Sequence, residues 1–184
     1  MKPRIILNSK HFELTINRLC YQLIENHNDF SDSALIGLQP RGIYLAQRIH
    51  DELSVILSTS SKKNIEILHG NIDVTFFRDD FRRREYPITP KSTRMDFVVE
   101  NKNVILVDDV LYTGRTVRAG MEEILTYGRP KQIELLVFID RRFSRHLPIE
   151  PNYVGSSVDT ITSERVKVEW KEMEGGDKVY LYTP

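Results

Sequence analysis

The chain has 184 residues, and its 26 Lys and Arg balance its 26 Asp and Glu, so the formal net charge is zero. This balance disfavours a dedicated nucleic-acid binder, which is usually basic, although it leaves room for a local basic face. The single cysteine, Cys20, excludes an intramolecular disulfide, and no apolar run reaches the ~20 residues of a membrane span. The N-terminal stretch lacks the apolar core of a signal peptide, so we expect one cytoplasmic domain.

The first predicted elements follow from apolar spacing. Apolar residues recur at helical intervals over 11–27, which predicts an amphipathic helix with Asn8 or Ser9 as its cap. A short apolar run then predicts a buried strand over 34–38, and a second helix is predicted over 42–53.

Polar and charged residues dominate the next part of the chain. The stretch 58–64 predicts an exposed connection, and a further strand is predicted over 72–77. Residues 78–96 are rich in charge, contain two prolines and show little periodicity. Because this stretch is too long for an ordinary connector, it is interpreted as a functional lid or a disordered loop.

The most informative stretch is 104–116, which reads VILVDDVLYTGRT. Four β-favouring apolar residues predict a strand buried on both faces, and Asp108 and Asp109 stand where that strand would end. A Thr-Gly-Arg-Thr turn then opens a helix, whose N-terminus can direct backbone N–H groups and its positive dipole end at a phosphate. The Walker motif Gly-x-x-x-x-Gly-Lys-Ser/Thr and the dinucleotide motif Gly-x-Gly-x-x-Gly are both absent from this stretch.

The residue types of this stretch indicate a phosphorylated sugar as ligand. Thr113 and Thr116 can add hydroxyl donors to the turn, and Gly114 lets the backbone come close. Asp108 and Asp109 can accept from ribose hydroxyls or hold Mg²⁺, although capping of the helix is an alternative role for them. Two carboxylates would repel a phosphate unless sugar hydroxyls or a metal came between, so the pattern favours a ribose phosphate over a bare nucleotide phosphate.

The remaining elements complete a regular alternation. Gly128 and Pro130 predict the end of the helix that follows the turn, and 133–139 predicts a further buried strand. Alternating strands and helices predict an α/β fold with a parallel sheet, in which ligands gather at the carboxyl ends of the strands.

Four stretches carry a resemblance to a known family. Residues 104–120, VILVDDVLYTGRTVRAG, resemble the phosphoribosyl-diphosphate (PRPP) motif of type I phosphoribosyltransferases. Three others narrow the resemblance to the bacterial pyrimidine-operon regulators that double as uracil phosphoribosyltransferases: GLQPRGIYLA at 37–46, DVTFFRDD at 73–80, and FIDR at 138–141 followed by LPI at 147–149. The resemblance implies one domain of the type I phosphoribosyltransferase fold, with a mainly parallel sheet flanked by helices. It also implies a hood formed by residues from about 140 to 184 and a flexible lid loop over 78–96.

The resemblance implies the transfer of the phosphoribosyl group of PRPP to uracil with Mg²⁺, giving UMP and diphosphate. The catalytic and metal-binding residues implied are Asp108 and Asp109. The anchor for the 5′-phosphate is implied at Thr113, Gly114, Arg115 and Thr116, and a diphosphate loop at Pro40, Arg41 and Gly42. Lid residues are implied at Arg78, Asp79, Asp80 and Arg82, and a base pocket at Asp140, Arg141 and Val158.

Two departures from the family leave alternatives open. Arg142 and Phe143 stand where Gly-His is expected after Asp-Arg, and Glu150, Ser156 and Ser157 stand where basic residues of an RNA-binding face are expected. The alternatives are an RNA-binding regulator with vestigial catalysis and a purine phosphoribosyltransferase. Besides PRPP, uracil and UMP, the family implies a pyrimidine-operon leader mRNA as partner, which the departures put in doubt, and a homodimer or larger homo-oligomer. No membrane association is expected.

Overall fold

Eight strands and four α-helices build the computed structural model, which describes residues 3–61, 66–77, 92–161 and 163–184. In chain order they are β1 (Arg4–Leu7), α1 (Ser9–His27), β2 (Ser33–Leu38), α2 (Gly42–Ser61), β3 (Leu68–Ile72), β4 (Asn103–Leu111), α3 (Arg115–Ile124), β5 (Gln132–Arg142), β6 (Tyr153–Asp159), β7 (Arg165–Glu169), α4 (Lys171–Glu174) and β8 (Lys178–Tyr182). In the described part of the chain, no helix is long and apolar enough to span a membrane.

The central sheet is parallel, as predicted. Its five strands lie in the order β3-β2-β4-β5-β6, and every neighbouring pair is parallel. The chain leaves β2 toward one edge of the sheet and, from β4 onward, proceeds toward the other edge. A reversal of this kind opens a crevice at the carboxyl ends of the two central strands, which is where ligands of such sheets bind.

Helices cover both faces of this sheet. Ile105 and Val107 of β4 pack with α1 and α2, whereas Val104 and Leu106 pack with α3. All four side chains are fully buried, which confirms the prediction that this strand is buried on both faces. The first helix begins as predicted, since the side chain of Asn8 accepts from His11 N at 3.0 Å.

A second, antiparallel sheet of three strands, in the order β1-β8-β7, forms the hood together with α4. The predicted boundary of the hood, about 140–184, needs correction, because β5 and β6 belong to the central sheet as far as Asp159. The hood starts at Arg165 and also takes in β1 from the other end of the chain, where Arg4 lies opposite Leu181. Trp170, fully buried, anchors the hood on the core beneath α1 and α2.

Two predicted elements differ from the structure. The helix predicted over 42–53 continues to Ser61, and the polar Ser58 and Thr59 are accommodated in it, since their hydroxyls donate to Val55 O. The strand predicted over 72–77 is wrong: β3 ends at Ile72. There the side chain of Asp73 accepts from Thr75 N at 3.0 Å, and this local bond turns the chain into a short 3-10 helix.

The charged stretch 78–96 is described only at its end. Residues 78–91, with the lid candidates Arg78, Asp79, Asp80 and Arg82, lie outside the described residues. Beyond them, Arg94 N donates to Asn71 O at 2.7 Å and Asn71 N donates to Arg94 O at 2.8 Å. This end of the stretch therefore pairs with the outer edge of β3.

Candidate active site

The carboxylate pair lies at the crevice between the two central strands. Asp108 and Asp109 are 8% and 9% exposed, and the strand continues past them to Leu111, so they stand within β4 and not after it. Asp109 N donates to Asp108 Oδ1 at 2.9 Å. Burial raises the pKa of Asp109, while the guanidinium of Arg41, with Nε 3.4 Å from Oδ2, acts in the opposite direction.

The turn at 113–116, the predicted anchor for the 5′-phosphate and named here the phosphate loop, ends in the N-terminus of α3. Its Gly114 has a φ of 88° and serves as N-cap, a position where glycine brings no capping side chain. Arg115 N donates to Thr113 Oγ1 at 3.4 Å, and the N-terminus of α3 faces the space in front of the helix. A cavity of about 140 Å³ lies there, lined by residues that include Asp108, Thr113, Arg115 and Thr116.

The segment that follows β5 supports the phosphate loop from behind. The N–H groups of His146 and Leu147 donate to Thr113 O at 3.1 and 3.3 Å. A Cβ added to Gly114 would lie 3.1 Å from Ile149 Cδ1, so this side chain leaves little space behind the turn. The LPI stretch at 147–149 thus holds the loop in shape, a role that its position in the sequence does not indicate.

Residues 40–42, the predicted diphosphate loop, cross directly over β4. A Cβ on Gly42 would lie 2.4 Å from Val107 O and 3.0 Å from Asp108 Cα, so the backbone can approach the carboxylate pair only with glycine there. The Gln39–Pro40 peptide bond is cis. The structure therefore brings together the diphosphate loop and the carboxylate pair, which the sequence places far apart.

Arg41 connects this loop to the hood. Its Nη2 group donates to Glu174 Oε1 at 2.8 Å and to Val168 O. Burial acts to raise the pKa of Glu174, but the hydrogen bonds from Arg41 and from Trp170 N outweigh it and lower that pKa. The sequence-based assignment missed Glu174, and no local signal could have found it, because it lies 133 positions from Arg41.

A second cavity, of about 310 Å³, adjoins the phosphate loop. It is lined by Tyr112, Arg141, Phe143, Ser144, Arg145, His146, Thr160 and Ile161. Tyr112 lines both cavities, and the guanidinium of Arg141 lies 4.0 Å from the centre of its ring. Burial lowers the pKa of Arg141, which also donates to Glu164 O at 2.8 Å.

The predicted base-pocket residues reach this cavity only in part. Arg141 lines it, whereas the carboxylate of Asp140 is paired with Arg145 and does not. Val158 lies opposite Arg141 in the sheet, and its side chain, 5% exposed, packs in the core. The side chain of Val158 therefore does not line this cavity, and its place in the base pocket stays a prediction. Tyr112, which the assignment left out, lies within the motif itself.

Comparison with known proteins agrees with this arrangement. A model of the phosphoribosyl transferase domain matches residues 4–172, and the fold and the site thus define a phosphoribosyltransferase. The bifunctional protein PyrR of Microcystis aeruginosa is 41% identical over 183 residues, covering 98% of this chain and 99% of the relative. PyrR of Enterococcus faecalis is 36% identical over 181 residues, covering 98% and 97%. The chain belongs to the PyrR family of bifunctional proteins, which confirms the family predicted from the sequence.

Solved structures confirm the predicted fold. The hypoxanthine phosphoribosyltransferase of Trypanosoma cruzi has a TM-score of 0.70 at 13% identity, with 98% of this chain and 97% of that chain covered. The corresponding enzyme of Staphylococcus aureus has a TM-score of 0.69 at 16% identity, with 98% and 92% covered. At these identities the similarity shows the type I phosphoribosyltransferase fold alone.

Proposed function

We propose that this protein transfers the phosphoribosyl group of PRPP to uracil, giving UMP and diphosphate. One observation carries the proposal: a phosphate-sized cavity at a helix N-terminus, a buried carboxylate pair and a glycine loop meet at one end of the sheet. In this placement the phosphate loop would bind the 5′-phosphate and the carboxylates would bind the ribose hydroxyls. The diphosphate would lie along residues 40–42, and the base would lie in the cavity beside Tyr112.

The chemistry follows from this placement. The bond between the anomeric carbon and the diphosphate oxygen breaks, a bond from the same carbon to N1 of uracil forms, and the N1 proton passes to solvent. Positive charge develops on the sugar as the first bond breaks. Asp108 and Asp109, fixed and buried beneath the ribose, would stabilise that charge without reorganisation. The reaction requires no protein nucleophile.

The same residues fit Mg²⁺. The two carboxylates supply the hard oxygen ligands that Mg²⁺ prefers, and this ion is usually bound by one or two carboxylates together with substrate phosphates. In the described residues no group of three or more His, Cys, Asp and Glu could hold a metal without the substrate. We therefore propose that Asp108 and Asp109 hold Mg²⁺ together with PRPP. When bound, the ion would neutralise charge on the diphosphate leaving group.

Uracil is the proposed base because the chain belongs to the PyrR family, and a purine is the alternative. The test is an activity panel with radiolabelled uracil, hypoxanthine, guanine and adenine, each with PRPP and Mg²⁺. We expect product from uracil alone. Product from a purine in place of uracil would overturn the proposed substrate, and no product from any base would overturn the proposed activity.

A second function, binding of a pyrimidine-operon leader RNA, is proposed to be weak. Glu150, Ser156 and Ser157 stand at positions where basic residues of an RNA-binding face are expected. Of the arginines nearby, Arg142 donates to Asp159 at 2.7 Å, and Arg145 is paired with Asp140. Both arginines are therefore paired within the described part of the chain, which leaves their charges less available to RNA phosphates.

A further inference from the structure

The guanidinium of Arg41 is held along one edge. Its Nη2 group donates to Glu174 Oε1 at 2.8 Å and to Val168 O, and its Nε lies 3.4 Å from Asp109 Oδ2. Within the described residues its Nη1 group makes no hydrogen bond. The hood thus fixes one edge of the guanidinium and leaves the Nη1 N–H groups for an anion beside residues 40–42.

Glu174 is itself firmly placed. Its Oε2 accepts from Trp170 N at 2.8 Å, and its side chain is 21% exposed. Trp170 is fully buried and packs edge-on against Phe12, with 5.1 Å between the ring centres. A carboxylate anchored to the core in this way can hold a long, flexible arginine in one conformation, so that less conformational entropy is lost when a ligand binds.

We infer that Glu174 is a positioning residue, which holds Arg41 ready for the diphosphate group of PRPP and limits its contact with Asp109 to the Nε atom at 3.4 Å. This inference rests on the proposed function and adds a residue of the hood to it. Without the charge of Glu174, the carboxylate of Asp109 becomes the stronger attraction for the guanidinium. Arg41 then turns away from the diphosphate and toward the carboxylate of Asp109.

The test is a calorimetric titration of the full chain with inorganic diphosphate and, separately, with PRPP, both with Mg²⁺. For Glu174→Gln we expect binding of both ligands to weaken by about five- to tenfold, since the hydrogen bond from Arg41 then meets a neutral acceptor and the attraction between the two charges is lost. In assays the KM for PRPP should rise by the same factor while kcat stays within about twofold. Glu174→Asp should fall between the wild type and Glu174→Gln, and it also serves if Glu174→Gln fails to fold.

Glu172→Gln is the matched control. Glu172 lies on the same short helix and pairs with Arg48 at 2.7 Å, away from the diphosphate loop. This variant removes an ion pair between hood and core, so it reports any loss that comes from loosening the hood. We expect its affinity for diphosphate to equal that of the wild type. If it weakens binding as much as Glu174→Gln does, the positioning role is overturned.

A double-mutant cycle with Arg41 separates positioning from general stabilisation. In an Arg41→Ala background Glu174→Gln should change diphosphate affinity no further, because Glu174 acts only through Arg41. A further loss there would contradict the inference, as would wild-type affinity in the single variant Glu174→Gln. If the wild type binds neither ligand, the proposed function itself is wrong. If the wild type and Glu174→Gln bind equally well, only the positioning role of Glu174 is wrong.

Discussion

In the described part of the chain the two ends of the central sheet both contain buried polar clusters, and the cluster at the carboxyl end lines a cavity. At the amino end, His27 Nδ1 lies 2.9 Å from Ser33 Oγ, and its Nε2 lies 3.0 Å from Glu134 Oε2. The hydroxyl of Tyr153 donates to the same Glu134 oxygen at 2.8 Å. Burial and Glu134 raise the pKa of Tyr153, so this hydroxyl keeps its proton. The polar groups of this cluster are satisfied by one another.

At the carboxyl end the buried polar residues lie beside a cavity. Asp108 and the first residues of α3 line it, and burial raises the pKa of Asp109. The amino-end cluster contains Ser, His and Glu, the residue types of a hydrolase triad, yet Ser33 is 2% exposed and no substrate could reach it. Residue type and burial are thus shared by a structural and a functional cluster. What separates them is whether the cluster lies beside an open cavity.

The largest expected effect is at the carboxylate pair. Asp108→Asn or Asp109→Asn should lower the rate of transfer by ~10²–10³, because one preorganised charge beneath the ribose is lost. Tm should change little, because asparagine keeps an oxygen that can accept at either position, and at Asp109 loss of the Arg41 ion pair is offset by removal of a buried charge. The measurement is kcat/KM for PRPP together with a thermal melt. Wild-type turnover in both variants would remove the assignment of this end as the active site.

Gly42→Ala tests how closely the diphosphate loop must approach the carboxylate pair for transfer. Its Cβ would lie 2.4 Å from Val107 O, so the loop must shift by about 1 Å, and a displacement of that size can lower the rate by ~10²-fold. The control is Gly176→Ala, whose added Cβ would meet nothing within 4 Å. Equal kcat/KM in both variants would show that the close approach at Gly42 has no role in transfer.

The reverse pattern is expected at the amino end. His27→Ala should lower the free energy of unfolding by about 1–3 kcal/mol, because Ser33, Glu134 and Tyr153 lose a shared partner, whereas kcat should not change. His11→Ala, at an exposed position, should stay within ~0.5 kcal/mol of the wild type. Denaturant titrations with parallel assays give both quantities. A fall in kcat without a fall in stability would show that the amino end takes part in function.

The smallest expected effect concerns RNA. Binding to single-stranded RNA weakens with salt at a slope of ~0.7 per phosphate neutralised, and the ion pairs of Arg142 and Arg145 leave few such contacts. We expect weak binding of a pyrimidine-operon leader that UMP hardly changes, while transfer is intact. Filter binding against a scrambled RNA at near-physiological salt measures this. Tight binding of the leader that UMP enhances would mean that the RNA-binding face lies elsewhere on the protein.

The sequence predicted those parts of the fold and site that depend on neighbouring residues. Strand, carboxylate pair, glycine turn and helix follow one another from Asn103 to Ile124, so local patterns were enough to place them. The strand predicted at 72–77 was wrong for an equally local reason, because Asp73 forms a turn that the apolar residues around it conceal.

Contacts between distant segments could not be predicted. The pairing of β1 with β8 joins the two ends of the chain, and the pairing of Arg41 with Glu174 joins α4 to a loop 133 positions earlier. A single sequence contains no pattern that predicts either pairing. Any exposed strand could have paired with β1, and any acidic residue could have paired with Arg41. Our distinction between the two ends of the sheet depends on whether a polar cluster borders a cavity. This too follows only from packing.

The most direct test of this distinction is the rise in Tm that PRPP with Mg²⁺ produces. A ligand that binds only the folded protein stabilises it by RT ln(1 + [L]/Kd), which is about 2.7 kcal/mol at a ligand concentration a hundred times Kd. This gain does not depend on the stability of the free protein. We predict that His27→Ala melts below the wild type but gains the same rise. Asp109→Asn should melt near the wild type and lose most of the rise. A full rise in Asp109→Asn, or its loss in His27→Ala, would contradict the assignment of binding to the carboxyl end of the sheet.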